Sequence, residues 1–523
     1  MTKGYGSLST LKDTETRIVN GNRLLAIALV CLLTLLAAAV RMLLLGESLW
    51  VDELHTSWTV YDGLRPLPAR AAMGNNSPAY FLLPWLSSSL FGAGEWQLRL
   101  PSLLAGTALV PLSWWVVSTW TGERWCGLLA AWLAACDANF MFYAAEARTY
   151  AIVQLLALVQ LTLVYGMGTE PTGKRRIAFV LVTVMLFYLH YSTVLLLPMS
   201  VLGIGIAGYR RGQAGQTVRR LAVDMLMVVL MCLPAIGHVA EVAARKSNWD
   251  LFVSFQPVSA ICSLFPLGCV GIAACGWAFD RAAAKFRANG DRSPEDRRRM
   301  AWLLFVIAWM MAAIVAAWAL TNPDIARLFL RRYLIGVAIA PPILVALFCA
   351  EIRSTWFRVT VAAVVLLATV GGFSHRVSNL ASGLRVRVGE DWRGAVELVN
   401  RESSGRPVFV HSGLVEADAL ADQGPDSDLH EYCLLPVKGL YQLQPADRLQ
   451  YPLSYRRLVL DAAQVRAVQE SGGAWFLLRA SGDHAQRLGD QIRGQLQRHG
   501  LEGGQWRQFP FGRVSVLELN GES

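Results

Sequence analysis

Charge is what this sequence has least of. Across 523 residues, only 16% are charged, where soluble proteins carry about 25%. The deficit is uneven: charges gather between long apolar runs and again after about residue 374. That distribution excludes an ordinary soluble enzyme. It predicts membrane-spanning helices joined by loops, followed by a soluble module. The chain also lacks any CxxC pair among its nine cysteines, zinc-finger spacing, an RNA-binding motif, a glycine-rich phosphate loop and an internal repeat. Its cysteines lie mostly inside apolar runs and read as buried, reduced thiols. Only Cys433 falls in the C-terminal module, so no disulfide is expected there. The net charge of +10 does not point to nucleic acid. The basic residues sit mostly in short loops beside apolar runs, where they act as topology signals.

What is present is 54% apolar residues and 18 tryptophans. The run Leu24–Leu45 exceeds an ordinary signal-peptide core and reads as a retained first helix. About eleven spans are expected, at roughly 24–46, 101–120, 126–143, 150–168, 177–189, 192–208, 221–238, 258–279, 300–320, 333–350 and 358–374. Residues 177–208 are too long for one crossing of about 20 residues, so His190 and Tyr191 mark a tight hairpin. The apolar stretch Pro78–Phe91 is too short to cross and suits an interfacial helix.

With residues 1–23 as a cytoplasmic tail, inner segments hold about 21 Lys and Arg against about 9 outside. The positive-inside rule favours that orientation. It makes 47–100 a long structured outer loop, and places 375–523 outside as a small α/β domain. The strand-like segments of that domain are 407–411, 457–461, 475–479 and 514–519, with a helix over 485–499.

Candidate chemistry gathers at the outer ends of the helices. The first outer loop opens Leu49-Trp50-Val51-Asp52-Glu53-Leu54-His55. A partly desolvated carboxylate there is suited to take a proton from a hydroxyl; a solvated loop with interfacial tryptophans is the plainer alternative. Glu146 and Tyr150, four apart, share a face if Glu146-Ala147-Arg148-Thr149-Tyr150 is helical. Arg327, Arg331 and Arg332, ahead of Tyr333, run against the positive-inside bias, as if held by an anion; lipid head groups would serve as well. Arg41 either snorkels or pairs with the carboxylates of the first loop. Asp137 lies deeper, where a carboxylate is either functional or bonded to a neighbouring helix.

In order, these residues resemble the GT-C superfamily of polyprenyl-phosphate-sugar glycosyltransferases. The nearest branch is the bacterial one related to protein O-mannosyltransferases and the lipid A aminoarabinose transferase. The resemblance runs through Arg41, Leu49–Glu53, Ser77-Pro78-Ala79-Tyr80-Phe81, Arg99-Leu100-Pro101-Ser102, Glu146–Ala151, His190-Tyr191, Arg332-Tyr333-Leu334 and Asp391-Trp392-Arg393. It departs at Asn75-Asn76-Ser77-Pro78, where related proteins often carry His or Lys and two prolines.

The resemblance implies a polytopic helical GT-C-like catalytic domain over 24–374. Asp52 would be the general base, with Glu53 beside it as a second catalytic carboxylate or a substrate contact. Arg41, His55, Glu146, Arg148, Tyr150, His190, Tyr191, Arg331, Arg332 and Tyr333 would contact substrate, Arg332 holding the leaving lipid phosphate. The implied function is transfer of a hexosyl or pentosyl group, with inversion, from a polyprenyl-phosphate carrier to a protein, lipid or glycan hydroxyl outside the cytoplasmic membrane. No cofactor is implied; relatives differ in metal use, and no compact ligand set such as HExxH is present. The rival readings are a flippase for lipid-linked sugars, which would place its charges near the midplane, and a non-catalytic assembly protein.

Overall fold

The computed structural model describes residues 6–245, 255–285, 294–381, 389–402, 405–422, 427–456, 458–501 and 503–521. Its first part is helical. In chain order the helices are α1 (Gly6–Leu43), α2 (Val51–Tyr61), α3 (Leu67–Met73), α4 (Leu82–Phe91), α5 (Glu95–Thr121), α6 (Arg124–Cys136), α7 (Ala138–Ala144), α8 (Tyr150–Thr169) and α9 (Gly173–Leu189). They continue with α10 (Leu197–Arg210), α11 (Ala214–Cys232), α12 (Ile236–Ala244), α13 (Ala260–Ser263), α14 (Gly268–Lys285), α15 (Pro294–Thr321), α16 (Ala340–Ala350) and α17 (Thr355–Ala381). Seven helices among the described residues are long and apolar enough to cross a membrane, or eight if the bent α6–α7 pair is one span. This is a multi-pass membrane protein. The remaining expected spans fall on α9, α14 and the short apolar stretch Ile335–Ala350, and 258–279 is displaced toward Gly268–Lys285.

Local chemistry explains the breaks. Asp137 caps α7, accepting from Asn139 N at 2.8 Å and Phe140 N at 3.2 Å, and this N-cap bends α6 from α7 by 59°. The intramembrane carboxylate therefore has a structural use. Gly106 of α5 lies so close to Ala144 that a Cβ there would sit 2.3 Å from the Ala144 Cβ. That contact brings α7, and the 145–149 loop behind it, against α5. Helix α9 stops at extended His190, so the chain breaks where the sequence places a boundary between two spans.

The C-terminal module adds α18 (Trp392–Arg401), α19 (Asp428–Cys433), α20 (Leu435–Lys438), α21 (Ala462–Glu470) and α22 (Gly482–Arg498). Its strands are β1 (Val408–His411), β2 (Gln450–Pro452), β3 (Gly473–Leu478), β4 (Gln505–Phe511) and β5 (Val514–Asn520), in the order β2-β1-β3-β5-β4. β1 lies parallel to β2 and β3; β5 lies antiparallel to β3 and β4.

The segment 457–461 expected as a strand is not one among its described residues. Leu460 N donates to Gln495 Oε1 at 2.7 Å, and Gln495 Nε2 donates to the Leu458 carbonyl. A side chain of α22 thus satisfies the backbone that a neighbouring strand would otherwise pair. β2 and β4 were not expected; β2 is only three residues long, and β4 is a largely exposed edge strand interrupted by Pro510.

β3 is buried on both faces because successive side chains alternate. Phe476 and Leu478 pack beneath α21 and α22 with Val465, Leu488 and Ile492. Trp475 and Leu477 point the other way, into one core with Trp392, Tyr432 and Leu435 of the module and Leu49, Leu54, Trp58 and Phe81 of the outer loop. The module and the 47–100 segment thus share one hydrophobic core.

Candidate active site

The first turn of α2 carries Asp52, and two guanidiniums reach it. Arg332 Nη1 lies 3.6 Å from Asp52 Oδ2, with the two side chains 28% and 25% exposed. Arg148 Nη1 donates to the Asp52 carbonyl at 3.3 Å, and Arg148 Nη2 to Asn76 Oδ1 at 3.1 Å. The loop carrying Arg148 is fixed in turn: Ser102 Oγ donates to its carbonyl at 2.8 Å, and Thr56 Oγ1 to the Ala147 carbonyl at 2.8 Å. Residues from the 47–100 segment, the 145–149 loop and the segment before Ile335 thus meet at one end of the bundle.

Aromatic groups wall the cluster. Arg148 lies over the Tyr150 ring at 5.9 Å and Arg332 over Tyr333 at 5.6 Å. The His190 ring is 6.1 Å from Tyr150 and 5.8 Å from Tyr333. Ser192 ties this corner, its hydroxyl 2.8 Å from His190 Nδ1 and donating to the Tyr333 carbonyl. Glu146 is fully buried beside the cluster, where its charge acts on Arg148 and Tyr150. From the C-terminal module, Glu416 and Tyr432 come close enough to feel Asp52.

Electrostatics favour keeping both guanidiniums charged. Burial opposes the Arg148 charge, but Tyr150, Asp52 and Glu146 outweigh it and raise its pKa. At Arg332, burial is likewise overcome by Tyr150, Asp52 and Tyr333. Burial, then Arg148 and Arg332, push His190 down to about 4, so it faces the site as a neutral imidazole. Burial raises the Glu416 carboxyl against the pull of Arg245.

Five sequence candidates have other partners. Glu53, expected as a catalytic carboxylate, is 0% exposed; it takes Arg99 Nε at 2.7 Å and Nη2 at 2.5 Å, and Ala147 N at 2.8 Å. Those bonds make it the joint between the outer loop and the 145–149 loop. His55 Nε2 donates to the Arg70 carbonyl, 3.0 Å away, among Trp58, Phe81 and Tyr432. Burial and then Arg148 push His55 to about 4, so it is an interior ring. Arg41, read from sequence as either snorkelling or pairing with the first loop's carboxylates, donates to the Ala134 carbonyl at 2.9 Å, beside the α6–α7 break. The hydroxyl of Tyr191 turns to His238 Nδ1, 2.7 Å away. Arg331 is exposed, and its Nε donates to the Leu264 carbonyl at 2.9 Å.

Sequence reasoning missed Arg99 as the partner of Glu53, although it lies in a quoted motif. It also missed Arg245, which donates to Asn75 Oδ1 at 3.2 Å and to the Ala72 carbonyl at 3.1 Å. Arg148 on Asn76 and Arg245 on Asn75 bring positive charge to the segment that has no basic residue of its own. A cavity of about 300 Å³ lies elsewhere, among Ser57, Trp85, Ser88, Leu98 and Leu440, and none of the candidate residues lines it. Among the described residues, no group of three or more His, Cys, Asp and Glu side chains is placed to hold a metal ion.

No protein-family profile and no curated protein matches this sequence. Solved structures of similar shape include an oligosaccharyltransferase of Archaeoglobus fulgidus in complex with zinc and sulfate, at 10% identity. There the likeness covers 92% of this chain and 72% of that one, with a TM-score of 0.49. ArnT of Cupriavidus metallidurans bound to undecaprenyl phosphate is 14% identical over 96% of this chain and 99% of its own, with a TM-score of 0.44. The arabinofuranosyltransferase AftD from Mycobacteria is 14% identical over 94% and 42%, with a TM-score of 0.45.

Proposed function

We propose that this chain is a GT-C-type membrane glycosyltransferase, moving a sugar from a polyprenyl-phosphate carrier to an acceptor hydroxyl. The reading puts the active site on the outer face of the cytoplasmic membrane, with residues 1–23 inside and the C-terminal module outside. The carrying observation is that the Asp52 carboxylate and the Arg332 guanidinium, far apart in sequence, stand 3.6 Å apart at one end of the apolar helices, with Arg148 alongside. A base and a pair of phosphate-binding forks in one place, at the ends of apolar helices, suit transfer from a lipid-borne phosphate.

The chemistry follows from the charges. Breaking the bond between the anomeric carbon and the phosphate oxygen leaves a phosphate monoester whose negative charge grows in the transition state. Arg332 and Arg148 stabilise that growing charge more than the ground state, which lowers the barrier. Asp52 accepts the proton of the acceptor hydroxyl as its oxygen bonds to the anomeric carbon. One displacement inverts that carbon, so the sugar must enter between base and phosphate. At 3.6 Å, longer than a hydrogen bond, the Asp52–Arg332 contact is weak enough for a phosphate to replace it. His190, Tyr150 and Tyr333 line this space, and Glu146 lies buried beside it. The test is purified protein with a panel of polyprenyl-phosphate sugars, wild type against Asp52→Asn. Transfer by the wild type alone supports the reading; a folded wild type inert toward every donor contradicts it.

A further inference from the structure

We infer that Glu390 of the C-terminal module is a positioning residue for Asp52, and that docking of the module sets the aim of the proposed base. The inference rests on the transfer reading above for its kinetic consequence, but its geometry stands separately.

The first N–H groups of a helix have no partner within it. At the start of α2, Trp50 provides no side-chain hydrogen bond to them. The partner comes instead from a residue remote in the chain. Val51 N donates to Glu390 Oε2 at 3.1 Å. Trp392 Nε1 donates to the same oxygen at 2.9 Å, and Arg479 Nε and Nη2 each reach Oε1 at 2.8 Å. The Glu390 side chain is 1% exposed. A carboxylate at a helix N-terminus is favoured by the helix dipole, and Arg479 neutralises it, which limits the repulsion it can exert on Asp52. Arg479 directly follows β3, so the sheet is the rigid body from which Glu390 is held.

The same module grips the preceding residues. Leu49 N donates to the Tyr441 hydroxyl at 2.8 Å, and that hydroxyl donates to Glu95 Oε1 at 2.9 Å. Arg393 N donates to Ser48 Oγ at 3.1 Å, and Arg393 Nη2 to the Gly46 carbonyl at 3.0 Å. From the opposite side, Arg99 Nη1 donates to the carbonyls of Leu45 and Glu47, each at 2.6 Å. The backbone leading into Asp52 is thus clamped between a buried arginine of the membrane helices and the polar edge of the module. Removing Glu390 frees Val51 N and with it the turn that directs the Asp52 side chain, while Arg148 keeps its anchors on Ser102 and Asn76 and Arg332 is carried by a separate segment. A base moved out of line lowers turnover without weakening donor binding.

The experiment uses the full-length protein with Glu390→Ala, Glu390→Gln and Tyr441→Phe. It reads kcat, donor KM and hydrogen exchange at the amides of residues 49–53. Glu390→Ala is expected to lower kcat by about tenfold or more, as for a misplaced catalytic group, with donor KM within about twofold and faster exchange at Val51. Glu390→Gln keeps an acceptor for Val51 N but turns its amide N–H toward Arg479, and should recover part of that loss. Tyr441→Phe should free Leu49 selectively, and it supplies the comparison if Glu390→Ala does not fold. Unchanged kcat and exchange in Glu390→Ala, or a Gln variant no better than Ala, overturns the inference. If the wild type transfers no sugar, the transfer reading fails, while the exchange measurement still decides whether Glu390 holds the Asp52 turn.

Discussion

The Glu53 carboxylate and the Arg99 guanidinium form a two-pronged pair, 2.7 and 2.5 Å, with both side chains 0% exposed. Removing one partner leaves the other charge buried and uncompensated, at a cost of about 3–5 kcal/mol. Glu53→Gln and Arg99→Met are therefore expected to lower the thermal unfolding midpoint in detergent far more than Asp52→Asn does. A thermal scan of the three variants checks this. Equal stability for all three would contradict the structural role of Glu53.

Arg148 joins Asp52 and Asn76 through a planar fork that lysine cannot reproduce. Arg148→Lys should lower kcat/KM for the lipid donor by roughly 10- to 100-fold, in line with losing hydrogen bonds made by a charged group. Steady-state kinetics against donor concentration measure it.

Tyr191 lies next to His190 in sequence but faces away, with its hydroxyl on His238. Tyr191→Phe should leave transfer within about twofold of wild type. His190→Ala, which removes a ring between Tyr150 and Tyr333, should reduce it clearly. One assay of both variants separates the two neighbours.

His55 and His190 are both held near 4 by burial and by neighbouring arginines, against about 6.5 in an unfolded chain. Between those values the unfolded state binds more protons than the folded state, so stability rises with pH across that window. The unfolding midpoint should be flat above about pH 7 and fall steadily as pH drops from about 6.5 toward 4. Thermal scans over that range check it, and His55→Gln should flatten part of the slope.

The sequence exposes what depends on local pattern. Apolar runs locate the helices, His190 marks the break after α9, and the positions of Asp52, Arg148 and Arg332 just beyond apolar runs place them at helix ends. Contacts made between distant segments leave no such trace. Nothing near Glu53 names Arg99 as its partner, and nothing near Val51 names Glu390. Sequence leaves Arg41 between snorkelling and pairing with the first loop, but the bend capped by Asp137 presents the Ala134 carbonyl to it. Residues 457–461 carry a strand's composition, yet Gln495 satisfies their backbone from a helix. In each case a polar group found its partner through tertiary packing rather than through its neighbours in sequence.

Replacing Asp52 with Asn in the purified, folded protein, and measuring sugar transfer from polyprenyl-phosphate donors, tests the central claim most directly. Loss of a positioned general base predicts a fall in kcat of about 10²- to 10⁴-fold, with donor binding and unfolding temperature retained. Transfer by Asp52→Asn at the wild-type rate would contradict the account.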